Sequence, residues 1–428
     1  MDAVLRLGYD AAGNLARALA AVTPASDTKL LRALRARRGI RARYAAWART
    51  DRAPARTLLW MHAPSVGEGL QARPVLQLAR RERPDLQLAY TFFSPSAAAF
   101  ARGLDVDFAD YLPFDTVGDA EAALDALAPR ALVFSKLDVW PNLARIAAER
   151  GVRLGLVSAT LAEGSSRRRG MAARLLSNAY ARLDAVGAID ARDAERLVDL
   201  GVRRERIEVT GDTRYDQVWA RVRGVDRAMG LLAMLTSERP TLVAGSTWPP
   251  DERPLLAAWS RVHAAVPDAR LIIAPHEPTE SHLTPIERWA AETRVRSARL
   301  GGDDAPNADV VIVDRTGVLG DLYALATAAY VGGGFGTAGL HSVLEPAAFG
   351  VPVLFGPRYA NSRDAELLIG AGGGASEATE SGLESRLRTW LTDDATRREA
   401  GRAAHDLVER GPGAAERSWK LVATLLGA

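Results

Sequence analysis

Strand-length apolar runs alternate with amphipathic stretches of helical length along most of this chain, the pattern of parallel sheets flanked by helices. In the first half the strand-like runs are TLLWMHA, LQLAYTFF, ALVFS, RLGLVSA, AVGAI and IEVTG, separated by helical stretches such as SAAAFARGL and DAEAALDALA. In AERGVRLGLVSA a helix stops at Gly151 and an apolar run follows. The second half repeats the theme with TLVAGST, ARLIIAP, DVVIVD, AAYVGGG and VPVLFG, which calls for a second sheet. A length of 428 residues also exceeds one hydrophobic core. The expected fold class is α/β, with two Rossmann-like doubly wound domains facing a central cleft. Ligands of such sheets sit beyond the carboxyl ends of the strands, so the strand-to-helix loops carry the function.

The expected boundaries follow from composition. Residues 1–50 form an amphipathic and basic N-terminal segment, 51–220 the first domain, 221–240 a linker with its hinge at Ser237-Glu238-Arg239-Pro240, and 241–412 the second domain. Residues 413–428 read as a helix returning to the first domain.

With no cysteine, the chain has no disulfide framework, no Cys-ligated metal and no thiol chemistry. A net charge of +3 is too small to imply nucleic-acid binding, but the excess is uneven. Between Lys29 and Arg56 stand Lys29, Arg32, Arg35, Arg37, Arg38, Arg41, Arg43, Arg49, Arg52 and Arg56 against one acid, Asp51. Such a run suits an anionic membrane surface, and equally a solvated helix face. The preceding stretch is interrupted by Asp2, Arg6, Asp10, Asn14 and Arg17, so it is no spanning helix. Its apolar residues, Val4, Leu5, Leu7, Tyr9, Leu15, Leu19 and Val22, suit a helix lying in a bilayer interface or packing on its own domain.

Five loops stand out. MHAPSVGEG places Glu68 after a turn between a strand and a helix, where capping is the plainest role. VFSKLDVWPNL sets Lys136 and Asp138 at a strand end, suited to a polar sugar or phosphate, or to a structural ion pair. AGSTWPPDE offers Gly245, Ser246 and Thr247 as phosphate donors, unless Ser246 or Thr247 only caps the next helix. APHEPTE brings His276 to a strand end, with Glu277 and Glu280 in loop or capping roles. Pro278 and the lack of a third spaced ligand argue against a metal there. YVGGGFGTAGLHSVLEPAAFGVPVLFGP runs a strand into Gly332, Gly333 and Gly334 and on to a helix at about Ser342 to Phe349. Its N–H groups suit a phosphate and its Glu345 suits ribose hydroxyls.

HAPSVGEG, KLDVWPNL, AGSTWPPDE, IIAPHEP, GVLGDLYALATAAYVGGGFG and GLHSVLEPAAFGVPVLFGP resemble, in order and spacing, the 3-deoxy-D-manno-octulosonic acid (Kdo) transferases of lipopolysaccharide biosynthesis, over about Leu58 to Leu368. The resemblance implies an inverting GT-B glycosyltransferase that needs no metal or other cofactor. Its donor would be CMP-Kdo and its acceptor a lipid A precursor. It would sit at the cytoplasmic face of the bacterial inner membrane, peripheral or monotopic. It places Glu68 on the family's proposed general base, which suits the task if a closed site raises its pKa towards neutrality. Ser65, Gly67, Lys136 and Asp138 fall on the acceptor side. Gly245, Ser246, Thr247, His276, Gly333, Gly334, Phe335, Gly336, His341, Ser342 and Glu345 fall on the donor side. The chain departs from many members at Lys136-Leu137-Asp138, at Pro275-His276-Glu277-Pro278 and at Ser342, where Asn is frequent. Two rival classes share the layout: a GT-B transferase or epimerase acting on a UDP-sugar, and a non-catalytic lipid- or sugar-binding homologue.

Overall fold

The computed structural model describes residues 3–22, 29–162, 164, 165, 167 and 170–427. The chain divides into two compact units, Met1–Gln217 with Gly413–Ala428, and Val218–Pro412.

In the first unit the strands are β1 (Leu58–His62), β2 (Gln87–Phe92), β3 (Phe108–Tyr111), β4 (Ala131–Ser135), β5 (Arg153–Ala159), β6 (Ala185–Ala188) and β7 (Ile207–Val209). They form one sheet in the order β3-β2-β1-β4-β5-β6-β7, and every neighbouring pair is parallel. The central strands are mostly apolar because helices cover both faces, as with β1 and β4, buried along their whole length with one polar residue each, His62 and Ser135. One face packs Trp60, Phe134 and Leu156 against helices that include Pro141–Glu149. The other packs Met61, Tyr90 and Val133 against Val66–Glu82 and the C-terminal helix Ala414–Leu426. That last helix lies close on β5, where Gly155 leaves room for Leu425: a Cβ there would stand 2.7 Å from Leu425 Cδ1. Asp216 accepts hydrogen bonds from the N–H groups of Gly413 and Ala415 at its start, at 2.6 and 2.9 Å.

In the second unit β8 (Thr241–Thr247), β9 (Arg270–Pro275), β10 (Ser297–Arg299), β11 (Val310–Ile312), β12 (Ala328–Val331), β13 (Val353–Phe355) and β14 (Gly374–Ser376) make a second parallel sheet, ordered β10-β11-β9-β8-β12-β13-β14. In each sheet the chain reverses its direction of winding at one place, between β1 and β4 and between β8 and β12. Ligand crevices of open α/β sheets form at such switch points.

The segments expected as a linker and hinge are built differently. The division between units falls at Gln217/Val218, inside the helix Thr213–Gly224. Residues 230–235 form a helix whose Leu232 and Leu235 are buried with Val243 and Ile272 in the core of the second unit.

The helix Ala3–Val22 packs on its own unit through a polar face. Tyr9 bonds Asp115, Asp10 accepts from the N–H of Val117 at 2.8 Å, and Arg17 pairs with Asp119 at 3.7 Å. Leu7 and Leu15 remain 72% and 62% exposed. Asp2 and the side chains of Val4, Arg6, Val22 and Lys29 lie outside the described residues. Much of the basic run is tied into the fold. Arg37 is buried and donates to the carbonyls of Ala33, Leu112 and Phe93, Arg41 and Arg43 pair with Asp119 and Asp110, and Arg52 donates to Gln87 and to the Leu127 carbonyl. Arg32, Arg35 and Arg49 stay exposed. Among the described residues no helix is long and apolar enough to cross a membrane.

Candidate active site

Most of the singled-out residues lie at or beside the two switch points. Beyond β1, Ser65 is the N-cap of helix Val66–Glu82 and Glu68 lies in its first turn. Beyond β4, Lys136 takes a left-handed backbone (φ 67°), a costly conformation for a residue with a side chain. Its ammonium Nζ stands 3.2 Å from Glu68 Oε1. Ser65 Oγ donates to Glu68 Oε2, and Ser135 Oγ donates to the Glu68 carbonyl at 3.2 Å. Glu68 is thus held by side chains from both strands that flank the switch point, rather than capping its helix.

Partial burial pushes the Glu68 carboxyl up, but the Ser65 hydroxyl and the Lys136 ammonium outweigh it, and the group is held below the ordinary glutamate value. These contacts by themselves do not raise the group towards neutrality: Glu68 is a carboxylate at neutral pH, ready to accept a proton. Lys136 and Asp138, adjacent in sequence, have different partners. Asp138 pairs with Arg167 at 2.8 Å, while Arg167 and Tyr180 also donate to the Leu137 carbonyl, each at 2.6 Å. Asp138 is therefore placed as an anchor of its loop. A Cβ on Gly67 would meet only Ser65 Oγ at 3.7 Å, so the described fold leaves open space there.

In the second unit, β8 ends at Gly245, Ser246 and Thr247, and Trp248 is the N-cap of helix Pro249–Ala265. Neither hydroxyl residue caps that helix: Ser246 has a left-handed backbone (φ 52°), and Thr247 Oγ1 donates to Glu252 at 2.9 Å. The residue that organises the site is Asp251, fully buried. Its Oδ2 accepts from the N–H groups of Trp248 and Gly333 at 3.1 and 2.8 Å, and its Oδ1 from the Phe335 N–H and the Tyr330 hydroxyl at 3.0 and 3.2 Å. The expectation that the glycine loop presents its N–H groups to a phosphate is corrected at Gly333 and Phe335, whose donors face this carboxylate. Gly333 itself is required by backbone geometry: its φ is +96° and a Cβ would stand 2.0 Å from the Gly339 carbonyl. Gly336, where a Cβ would touch Pro250 at an ordinary 3.5 Å, leaves space as Gly67 does.

His276 beyond β9 and His341 in the loop beyond β12 stack with ring centroids 4.3 Å apart, and Trp248 lies 4.8 Å from His276. Trp248 Nε1 donates to His341 Nε2 at 3.1 Å. Burial lowers the pKa of both histidines, His341 to about 4. Ser342 is exposed. Glu345, in the first turn of the short helix Leu344–Ala348, pairs with Arg221 at 3.6 Å. Its burial pushes its carboxyl up against the opposing pull of Arg221. Glu280 pairs with Arg299 at 2.7 and 2.8 Å, and the Glu277 carbonyl lies 2.6 Å from His282 Nδ1.

Among the described residues the grouping with metal-ligand spacing is His405, Asp406 and Glu409, on helix Asp394–Glu409 and in none of these loops. Sequence reading passed over Asp251 and Trp248. The signal for Asp251 was its place three residues after an N-cap, followed by Glu252.

Residues 34–217 match the family model described as 3-Deoxy-D-manno-octulosonic-acid transferase (kdotransferase). The chain is similar to the 3-deoxy-D-manno-octulosonic acid transferase of Bordetella pertussis, 29% identical over 388 residues covering 88% of this chain and 89% of that protein. It is also similar to that of Haemophilus influenzae, 24% identical over 367 residues covering 84% and 85%. Among solved structures it resembles a putative UDP-N-acetylglucosamine 2-epimerase from Listeria monocytogenes, with a TM-score of 0.62, 14% identity and coverage of 87% of this chain and 96% of that one. The UDP-GlcNAc 2-epimerase from Neisseria meningitidis bound to UDP-GlcNAc gives a TM-score of 0.61 at 11% identity, covering 86% and 99%. At such identities the likeness shows the fold, the two-unit α/β architecture of the GT-B class.

Proposed function

This chain belongs to the 3-deoxy-D-manno-octulosonic acid transferases, and from that premise we propose that it moves Kdo from CMP-Kdo to a lipid A precursor, with inversion and with Glu68 as general base. The observation that carries the reading is Glu68 itself: an ionised carboxylate at a switch point, oriented by Ser65 and Lys136. Glu68 takes the proton of the acceptor hydroxyl as that oxygen bonds to the anomeric carbon of Kdo. The bond from that carbon to the phosphate oxygen breaks, and CMP leaves with the electron pair. Ser65, Gly67 and Lys136 form the acceptor side, with Asp138 holding the Lys136 loop through Arg167. Gly245, Ser246, Thr247, Gly334, Gly336, His276 and His341 form the donor side, at the end of β8 and in the loops beyond β9 and β12. Glu345 approaches a ribose, and exposed Ser342 contributes at the rim. Neither step calls on a metal or other cofactor. The relatives, named as Kdo transferases over most of the chain, favour this reading over a UDP-sugar enzyme or a non-catalytic module.

Purified protein given CMP-Kdo and a tetraacylated lipid A precursor in detergent is expected to release CMP and form a Kdo-lipid, detected by mass. No turnover, where a control Kdo transferase works in the same mixture, would sink the proposal.

The acceptor is a lipid, and the N-terminal helix supports attachment to the cytoplasmic face of the inner membrane. Leu7 and Leu15 point out of the fold, and the exposed Arg32 and Arg35 follow in the next helix. Apolar side chains entering the acyl boundary, with cations near anionic headgroups, make a peripheral anchor. Leu7→Ser with Leu15→Ser is expected to weaken sedimentation with phosphatidylglycerol vesicles by roughly tenfold or more, since burial of each leucine is worth about 1.5–3 kcal/mol. Unchanged sedimentation would remove the helix from the anchor.

A further inference from the structure

We propose that Trp248 is a positioning residue that locks His341 in the tautomer carrying hydrogen on Nδ1, so that the imidazole offers an N–H to an anionic oxygen of the nucleotide donor. The ligand named here rests on the reading of the second unit as the donor-binding one. The role of Trp248 rests on geometry.

Trp248 Nε1 lies 3.1 Å from His341 Nε2. An indole N–H can only donate, so Nε2 is a bare acceptor and a neutral ring must carry its hydrogen on Nδ1. The rings cannot drift freely. His276 stacks on His341 at 4.3 Å with 25° between planes, and Trp248 closes on His276 at 4.8 Å. The His341 backbone N–H is fixed on the Gly332 carbonyl at 3.1 Å. An imidazolium at His341 would set a second N–H against the indole N–H. Burial and the neighbouring His276 ring disfavour it further, with Asp251 opposing them, and the ring is neutral at pH 7.

A neutral donor fits a leaving nucleotide. Its hydrogen bond strengthens as charge gathers on the departing phosphate, without the tight ion pair that a cation would form with donor and product alike. The sequence places Trp248 directly after Gly245-Ser246-Thr247, so one loop would both line the donor site and set the proton position of a histidine 93 residues away.

The test is the two-bond 1H–15N correlation spectrum of the full chain labelled with 15N-histidine, with His341 assigned by the loss of its signals in His341→Gln. At pH 7 the wild-type ring is expected to show a protonated Nδ1 and a bare Nε2. Trp248→Phe keeps an aromatic ring against His276 but has no N–H to give. In that variant His341 is expected to populate both tautomers, and CMP to bind about tenfold more weakly by calorimetry, the effect of one well-placed hydrogen bond. A wild-type His341 with its hydrogen on Nε2 overturns the role of Trp248, as does a Trp248→Phe spectrum with the tautomer unchanged. The tautomer is read without nucleotide, so a wild-type protein that shows it but does not bind CMP overturns the donor reading and the ligand named here, not the Trp248 lock.

Discussion

Glu68→Gln is expected to lower turnover with CMP-Kdo and lipid acceptor by at least about a hundredfold, with the CMP dissociation constant within about twofold of wild type. The amide keeps the size of the carboxylate and one acceptor for Ser65 Oγ, so the loop beyond β1 should hold, but it cannot take a proton at neutral pH. The pH profile gives a second reading. Burial raises the Glu68 pKa, but the Ser65 hydroxyl and Lys136 lower it by more, so the base stays ionised below the ordinary glutamate value. The acid limb of kcat/KM should therefore lie below that value. Lys136→Met removes an opposing cation, so it should move the limb to higher pH while leaving turnover at neutral pH well above that of Glu68→Gln. A Glu68→Gln enzyme with near wild-type turnover would place the base elsewhere. A limb that stays put in Lys136→Met would mean that the 3.2 Å contact does not act on the base.

The sheets were legible because their central strands are buried on both faces and so read as near-continuous apolar runs, as in LLWMH and RLIIAP, each with one polar residue at an end. Those the pattern misses, β3, β10 and β14, all lie at sheet edges and are short and partly exposed, with FADY, SAR and GAS offering no apolar run. The loops that carry the site were legible from their place after strands. Their internal bonding was not, because it joins residues far apart in the chain. Glu68 meets Lys136 only because β1 and β4 are neighbours, and that ammonium helps to hold the carboxyl below the ordinary glutamate value. The N-terminal helix shows the same limit. Its period marks it as amphipathic, but only the fold shows that Tyr9, Asp10 and Arg17 face the protein while Leu7 and Leu15 face out. The glycine run drew attention as a phosphate loop, yet the acid that takes two of its N–H groups stands 82 and 84 residues earlier.

That acid, Asp251, supports the other large prediction. Its carboxylate receives four donors from three segments: Trp248 at the end of β8, Tyr330 in β12, and Gly333 and Phe335 beyond it. In Asp251→Ala these buried donors lose their acceptor together. Each unmade buried hydrogen bond costs about 1–3 kcal/mol, so even with partial rescue by water the second unit should lose about 4 kcal/mol or more, at the extreme of single substitutions. Asp251→Asn tests the charge with little change of shape. One oxygen can still accept, but the amide NH2 must face N–H groups, so the loss should be about 2 kcal/mol or more, read as a lower midpoint in urea. Loss of CMP binding in these variants would come from the loop and not from general weakening, and Leu387→Ala separates the two. It opens a cavity in the core of the same unit at a cost of about 2–5 kcal/mol and should leave CMP affinity nearly intact. An Asp251→Asn protein that unfolds within about 0.5 kcal/mol of wild type would show that these hydrogen bonds do not hold the glycine loop in place, since such a change is typical of neutral surface substitutions.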